Sequence, residues 1–159
     1  MKKALITAAV LTALTASARA QAKDTVLEFN TMAGVSGPFV GPANPIRGLG
    51  GGGIPWRLQA AKGELRQDGR LEVRVRGLVL AAGPNEGTNP VANFRAVVSC
   101  RVIDGMNNPA ILNLTTGDFP ANSLGDSDIE ATLELPNQCF APIIFVTNPQ
   151  GRWFSVTGF

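Results

Sequence analysis

Arg70 to Leu80 reads RLEVRVRGLVL, and this stretch decides the fold class. From Leu71 to Arg76 the chain alternates strictly. Leu71, Val73 and Val75 point one way and Glu72, Arg74 and Arg76 the other, which is the period of a half-buried strand. Gly77 breaks the alternation, and Leu78, Val79 and Leu80 beyond it are apolar on both sides. A bulge or close backbone approach is therefore expected at Gly77, with deeper burial after it. Just upstream, Gln67-Asp68-Gly69 marks a turn. A two-residue loop would set Leu65 opposite Glu72 and mix the faces. A three-residue loop sets Leu65 opposite Leu71 and puts Gly69 at the left-handed position such a loop requires, so the second register is expected.

The same logic extends along the chain. Thr25 to Asn30 reads as a first strand. Asn93 to Asp104 carries Phe94, Ala96, Val98, Cys100 and Val102 on one face and a mixed set on the other, and a short strand is expected at Ile111 to Thr115. Ser127 to Leu135 turns Ile129, Ala131, Leu133 and Leu135 inward, leaving Asp128 and Glu130 to sit beside Arg74 and Arg76 if those strands are neighbours. Ile143 to Thr147 and Arg152 to Phe159 flank Asn148-Pro149-Gln150-Gly151. A four-residue loop there would pair Phe145 with Phe154 and Ile143 with Val156. No window after the first 20 residues has the 3.6-residue period of a helix. Residues 21–159 therefore read as one all-β domain, an antiparallel β-sandwich.

Met1 to Ala20 is set apart. Lys2 and Lys3, an apolar run from Ala4 to Leu14, and Ala18-Arg19-Ala20 form the pattern of a secretory signal peptide. Its apolar run is too short to span a bilayer, and no later stretch is long enough to cross as a helix. A secreted protein, extracellular or periplasmic, with no transmembrane segment after cleavage is expected. The full chain has 14 basic and 12 acidic residues. Lys2, Lys3 and Arg19 leave with the leader, so the mature chain is slightly acidic, which argues against a nucleic-acid partner.

Between Ala33 and Trp56 lies the most unusual segment. Gly34, Gly37, Pro38, Gly41, Pro42, Pro45, Gly48, the run Gly50 to Gly53 and Pro55 forbid regular structure over most of it. Phe39, Val40, Ile46, Leu49, Ile54 and Trp56 are interleaved. A linker gains nothing from such apolar anchors, so an ordered loop lying across the domain is expected, with its glycines at positive φ and forming a surface patch edged by Arg47 and Arg57. The glycine run lacks the Lys and Ser/Thr that a phosphate loop needs.

The chain has neither histidine nor tyrosine. That removes the usual nucleophile–base pairs and the usual zinc sites; no cofactor and no metal is expected. Cys100 and Cys139, an even count in an exported chain, are expected to form a disulfide. Asp126, Asp128 and Glu130 share a strand face and read as a solvated row. Their alternative uses are as a calcium site, although the ligand spacing matches no calcium loop, or as half of a glycosidase-type carboxylate pair in a small secreted hydrolase, which needs two carboxyl groups flanking a cleft. Trp56, next to Arg57, is either a plug under the loop or an exposed platform for a sugar ring or a protein. The expected role is thus non-catalytic binding of an envelope or extracellular component, glycan or protein, with Arg47, Trp56 and Arg57 as candidate contacts.

NPIRGLGGGGIPW, GELRQDGRLEVRVRGLVL, FRAVVSC and IIFVTNPQGRWFSVTGF resemble segments of a family of small secreted bacterial all-β proteins of unassigned function. The resemblance covers nearly all of the mature chain. It implies export and a single domain, and supplies no active site.

Overall fold

The structure is a computed structural model that describes residues 24–158. Residues 1–23, which include the expected signal peptide, and Phe159 lie outside the described residues. Two antiparallel sheets pack against each other as a β-sandwich. The first contains β1 (Thr25–Phe29), β4 (Ala60–Arg66), β5 (Arg70–Arg76) and β10 (Ser127–Thr132), in the order β1-β4-β5-β10. The second runs β2-β12-β11-β7-β8, from β2 (Ala33–Gly34), β12 (Trp153–Val156), β11 (Phe140–Thr147), β7 (Asn93–Ile103) and β8 (Pro109–Thr115). Short β9 (Phe119–Pro120) also pairs with β7, and β3 (Trp56–Arg57) pairs with β6 (Val79–Leu80). Among the described residues no helix is long and apolar enough to cross a membrane.

The hairpin at Gln67-Asp68-Gly69 has the three-residue form. Leu65 stands opposite Leu71, and Gly69 has φ +83°. Leu65, Leu71, Val73, Val75 and Ile129 point inward and join Phe94, Ala96, Val98 and Ile144 of the second sheet in one apolar core. Gly77, at φ +65°, does more than bulge. It ends β5, and the chain leaves the first sheet to form β6 against β3.

The strand β7 is dry on both sides: Ala96 to Cys100 is buried without a break. The mixed face read from its sequence is covered by the glycine–proline segment, which forms a third layer on the second sheet. Val35 N–H donates to the Phe154 carbonyl (2.8 Å), Gly52 N–H to the Trp153 carbonyl (2.9 Å), and Trp153 N–H to the Gly50 carbonyl (3.1 Å), so the glycine run adds to the ladder at β12. The Trp153 indole lies between Phe39 and Phe145, and its Nε1 donates to the Leu49 carbonyl at 3.1 Å. The expected ordered loop is therefore present, but its glycines work differently. None of Gly50 to Gly53 has positive φ. A Cβ on Gly51 would collide with the Phe39 carbonyl, and one on Gly52 would press on Phe154 and Trp56 at 3.1 Å, so these two are required by close approach and not by a left-handed backbone.

The closing hairpin differs in register from the expected one. Phe145 faces Val156, Val146 faces Ser155 and Thr147 faces Trp153, with a bulge between Val146 and Thr147. The Asn148 carboxamide oxygen accepts from the Gln150 and Arg152 amides, while Asn148 N–H donates to the Arg152 carbonyl. The turn is thereby one residue longer than assumed, and the bulge adds another shift. As a result Trp153 turns to the loop layer, whereas Phe154 turns to Trp56 and Phe94.

Candidate functional site

Trp56 is 4 % exposed and stacked on Phe154 with ring centroids 3.8 Å apart, so it is a core plug and not an exposed platform. Arg47 is half-buried, and its guanidinium is committed to the fold. One terminal nitrogen donates to the Ser99 carbonyl at 2.6 Å and the other to the Ala141 carbonyl at 2.7 Å, while its own carbonyl accepts from Asn113 at 3.0 Å. Burial, and then the nearby charge of Arg101, lower its pKa from the ordinary arginine value. Arg57 remains at the surface, where it pairs with Glu86 at 3.2 Å. The patch expected along the glycine run is not assembled: Gly51 and Gly52 are buried, and the two arginines belong to different surroundings.

The aspartates of β10 and its approach are largely structural. Asp126 accepts from the Gly77 amide at 2.9 Å and from the Asn122 carboxamide at 3.2 Å, and these bonds hold its carboxyl below the usual range. Asp128 pairs with Arg76 at 2.8 Å, as the charge pattern of the two strands suggested. Cys100 and Cys139 are bonded, tying β7 to the segment that enters β11.

What the register assembles instead is the outer face of the four-stranded sheet. Glu28 faces Glu64, Glu64 faces Glu72, and Glu72 faces Glu130, so four carboxylates form one row across all four strands. On one side of it Lys62 faces Arg74 and Arg74 faces Asp128; on the other, Arg66 and Arg70 close the β4–β5 hairpin. An open cleft of about 590 Å³ lies over these rows, lined by Glu28, Glu64, Glu72, Lys62, Arg74 and Asn30. Phe29 sits at its rim, packed on Gly63, where a Cβ would meet the ring at 2.6 Å.

Not every charge on this face is spent. Glu64 accepts from Thr25 at 2.6 Å and pairs with Arg66 at 3.4 Å. Lys62, Glu72 and Arg74 form no ion pair among the described residues. Among those residues, too, no three acidic or cysteine side chains converge as a metal site. Like charges directly opposite one another cost a sheet about 0.2–1 kcal/mol per pair, and Glu72 has such a neighbour on both sides.

Comparison with known proteins finds no matching family model, no similar curated protein and no similar solved structure.

Proposed function

We propose that the protein is a secreted, non-catalytic binding module and that the charged outer face of the four-stranded sheet is its binding surface. The observation that carries this reading is the cluster of Lys62, Glu72 and Arg74, charges of both signs that form no ion pair among the described residues and gather at the cleft. A fold gains nothing from Glu72 between Glu64 and Glu130, whereas a ligand carrying both charges gains complementary partners at fixed strand spacing. The charges of both signs around the cleft favour a peptide or protein ligand of the envelope or medium over a neutral glycan. Glu28, Glu64 and Glu72 stand side by side in one row along the cleft, a continuous charged strip of the kind a binding surface uses.

The test is capture from the producing cell's own envelope and medium by mature protein, compared with Glu72→Gln and Glu72→Gln/Arg74→Gln. The reading expects a component retained by the wild type, lost by the double variant and released as salt shortens the screening length. Glu72→Gln should also unfold at a higher urea concentration than wild type, because it relieves repulsion on both sides. Capture that survives the double variant, or a Glu72→Gln protein of lower stability, would overturn it.

A further inference from the structure

We infer that the free edge of β8 is an interface, and that its occupant is a second copy of this chain, joined antiparallel so that the second sheet continues through both molecules. The other edges of the two sandwich sheets are protected among the described residues. The edge strand β1 is bulged between Thr25 and Leu27 and carries Glu28. The edge strand β10 carries Asp128 and Glu130. At the other end of the second sheet β2 is two residues long, and the glycine run of the loop bonds alongside β12 next to it. These are the devices by which sheets avoid edge-to-edge pairing.

The strand β8 has only Pro109, at its first residue, among such devices. Its seven residues, PAILNLT, contain no charge, and its register with β7 runs unbroken from Val97↔Thr115 to Ile103↔Pro109. Ile111 is 44 % exposed and Leu112 37 %. Phe140 faces Arg101, which faces Ile111, so the exposed Phe140 and Ile111 lie on the two sides of Arg101 in one row of the sheet.

A second copy fits this edge better than the other strands on the molecule do. Pairing β8 with itself about its midpoint sets Leu112 opposite Leu112, Ile111 opposite Asn113 and Ala110 opposite Leu114, with no charge opposite any charge. The two Arg101 side chains would then lie three strand spacings apart, roughly 14 Å, beyond the screening length at physiological salt. The arrangement is two-fold symmetric and closes after two copies, because the remaining edges are protected. It also leaves the charged face of each first sheet uncovered, so it stands independently of the function proposed above.

Sedimentation of mature protein over roughly 10–200 μM, the range in which small interfaces assemble, tests this. Wild type should form dimers and nothing larger. Leu112→Lys and Ile111→Lys, which place like charges at or beside the two-fold axis, should each weaken association at least tenfold while retaining the far-ultraviolet dichroism of the wild type. Ile111 is the more exposed of the two, so its variant decides the matter if Leu112→Lys does not fold. A wild-type monomer throughout this range, growth beyond dimers, or a folded lysine variant that dimerises as well as wild type would each overturn the inference.

Discussion

The Arg47 guanidinium donates to the carbonyl of Ser99, 52 positions further along the chain, at 2.6 Å. The bond repairs a defect in the sheet. The β7–β11 register breaks between Phe140 and Ile143, and Pro142, inside the break, has no N–H to offer. Arg47 supplies donors to Ser99 on one strand and Ala141 on the other, beside the Cys100–Cys139 bond. Hydrogen bonds from a charged group to backbone carbonyls contribute about 2 kcal/mol. Arg47→Ala should therefore lower the urea unfolding free energy by about 2 kcal/mol with an unchanged denaturant slope. Arg47→Lys, which lacks the fork that reaches both strands, should lose roughly half as much. Equal stability of Arg47→Ala and wild type would show that the latch is ornamental.

Within the glycine run, position should matter more than composition. A Cβ at 51 would run into backbone, while a Cβ at 53 meets nothing within 4 Å. Gly51→Ala should destabilise by about 1–3 kcal/mol, the usual cost of overpacking. Gly53→Ala should stay within about 0.5 kcal/mol of wild type. Thermal unfolding of the two single variants separates this account from one in which the run is merely flexible, for which both substitutions would stabilise equally.

The parts of the fold legible in the sequence were those governed by local period and turn chemistry. Alternation from Leu71 to Arg76 with glycine at 69 sufficed for the Leu65–Leu71 register, while the charges on two strands placed Asp128 beside Arg74 and Arg76 only on the condition that those strands are neighbours, as they are. The closing hairpin escaped because a period of two is blind to a bulge, and one shifted residue redirected both Trp153 and Phe154. Trp56 was visible as a large apolar residue after a loop, but its burial depends on Phe154, nearly a hundred positions away. The charged face was harder still. Glu28, Glu64, Glu72 and Glu130 become a row only once β10 is known to lie beside β5, and nothing local to Ser127–Thr132 specifies that partner. Charge complementarity between the two strands was the one available signal.

Acid should loosen the corner where β5 leaves the first sheet. The Gly77 amide, and then Asn122, stabilise the ionised carboxyl of Asp126, so its folded pKa lies below the unfolded value of about 3.9. A depressed carboxylate contributes stability above its unfolded pKa and loses it as pH falls through the folded value. Asp126→Asn keeps an oxygen for the Gly77 amide but cannot ionise. Its stability deficit against wild type should be largest near pH 6 and narrow as the pH drops below about 4. Urea midpoints of the two proteins between these limits check the sign, and a gap that widens in acid would contradict it.

The central claim is that residues 37–53 are a packed layer of the sandwich, which leaves binding to the opposite sheet. Native-state hydrogen exchange addresses it at individual amides. Gly41, Gly51 and Gly52 donate to the carbonyls of Gly52, Gly41 and Trp153, at 2.7, 3.0 and 2.9 Å. Amides of a layer that opens only when the sheet beneath it opens share that sheet's protection. These three should exchange within about tenfold of Val98 at the centre of β7, a difference of roughly 1.4 kcal/mol in opening free energy. Exchange at unprotected rates while Val98 stays protected would show that the segment opens independently of the sheet, and would contradict the account.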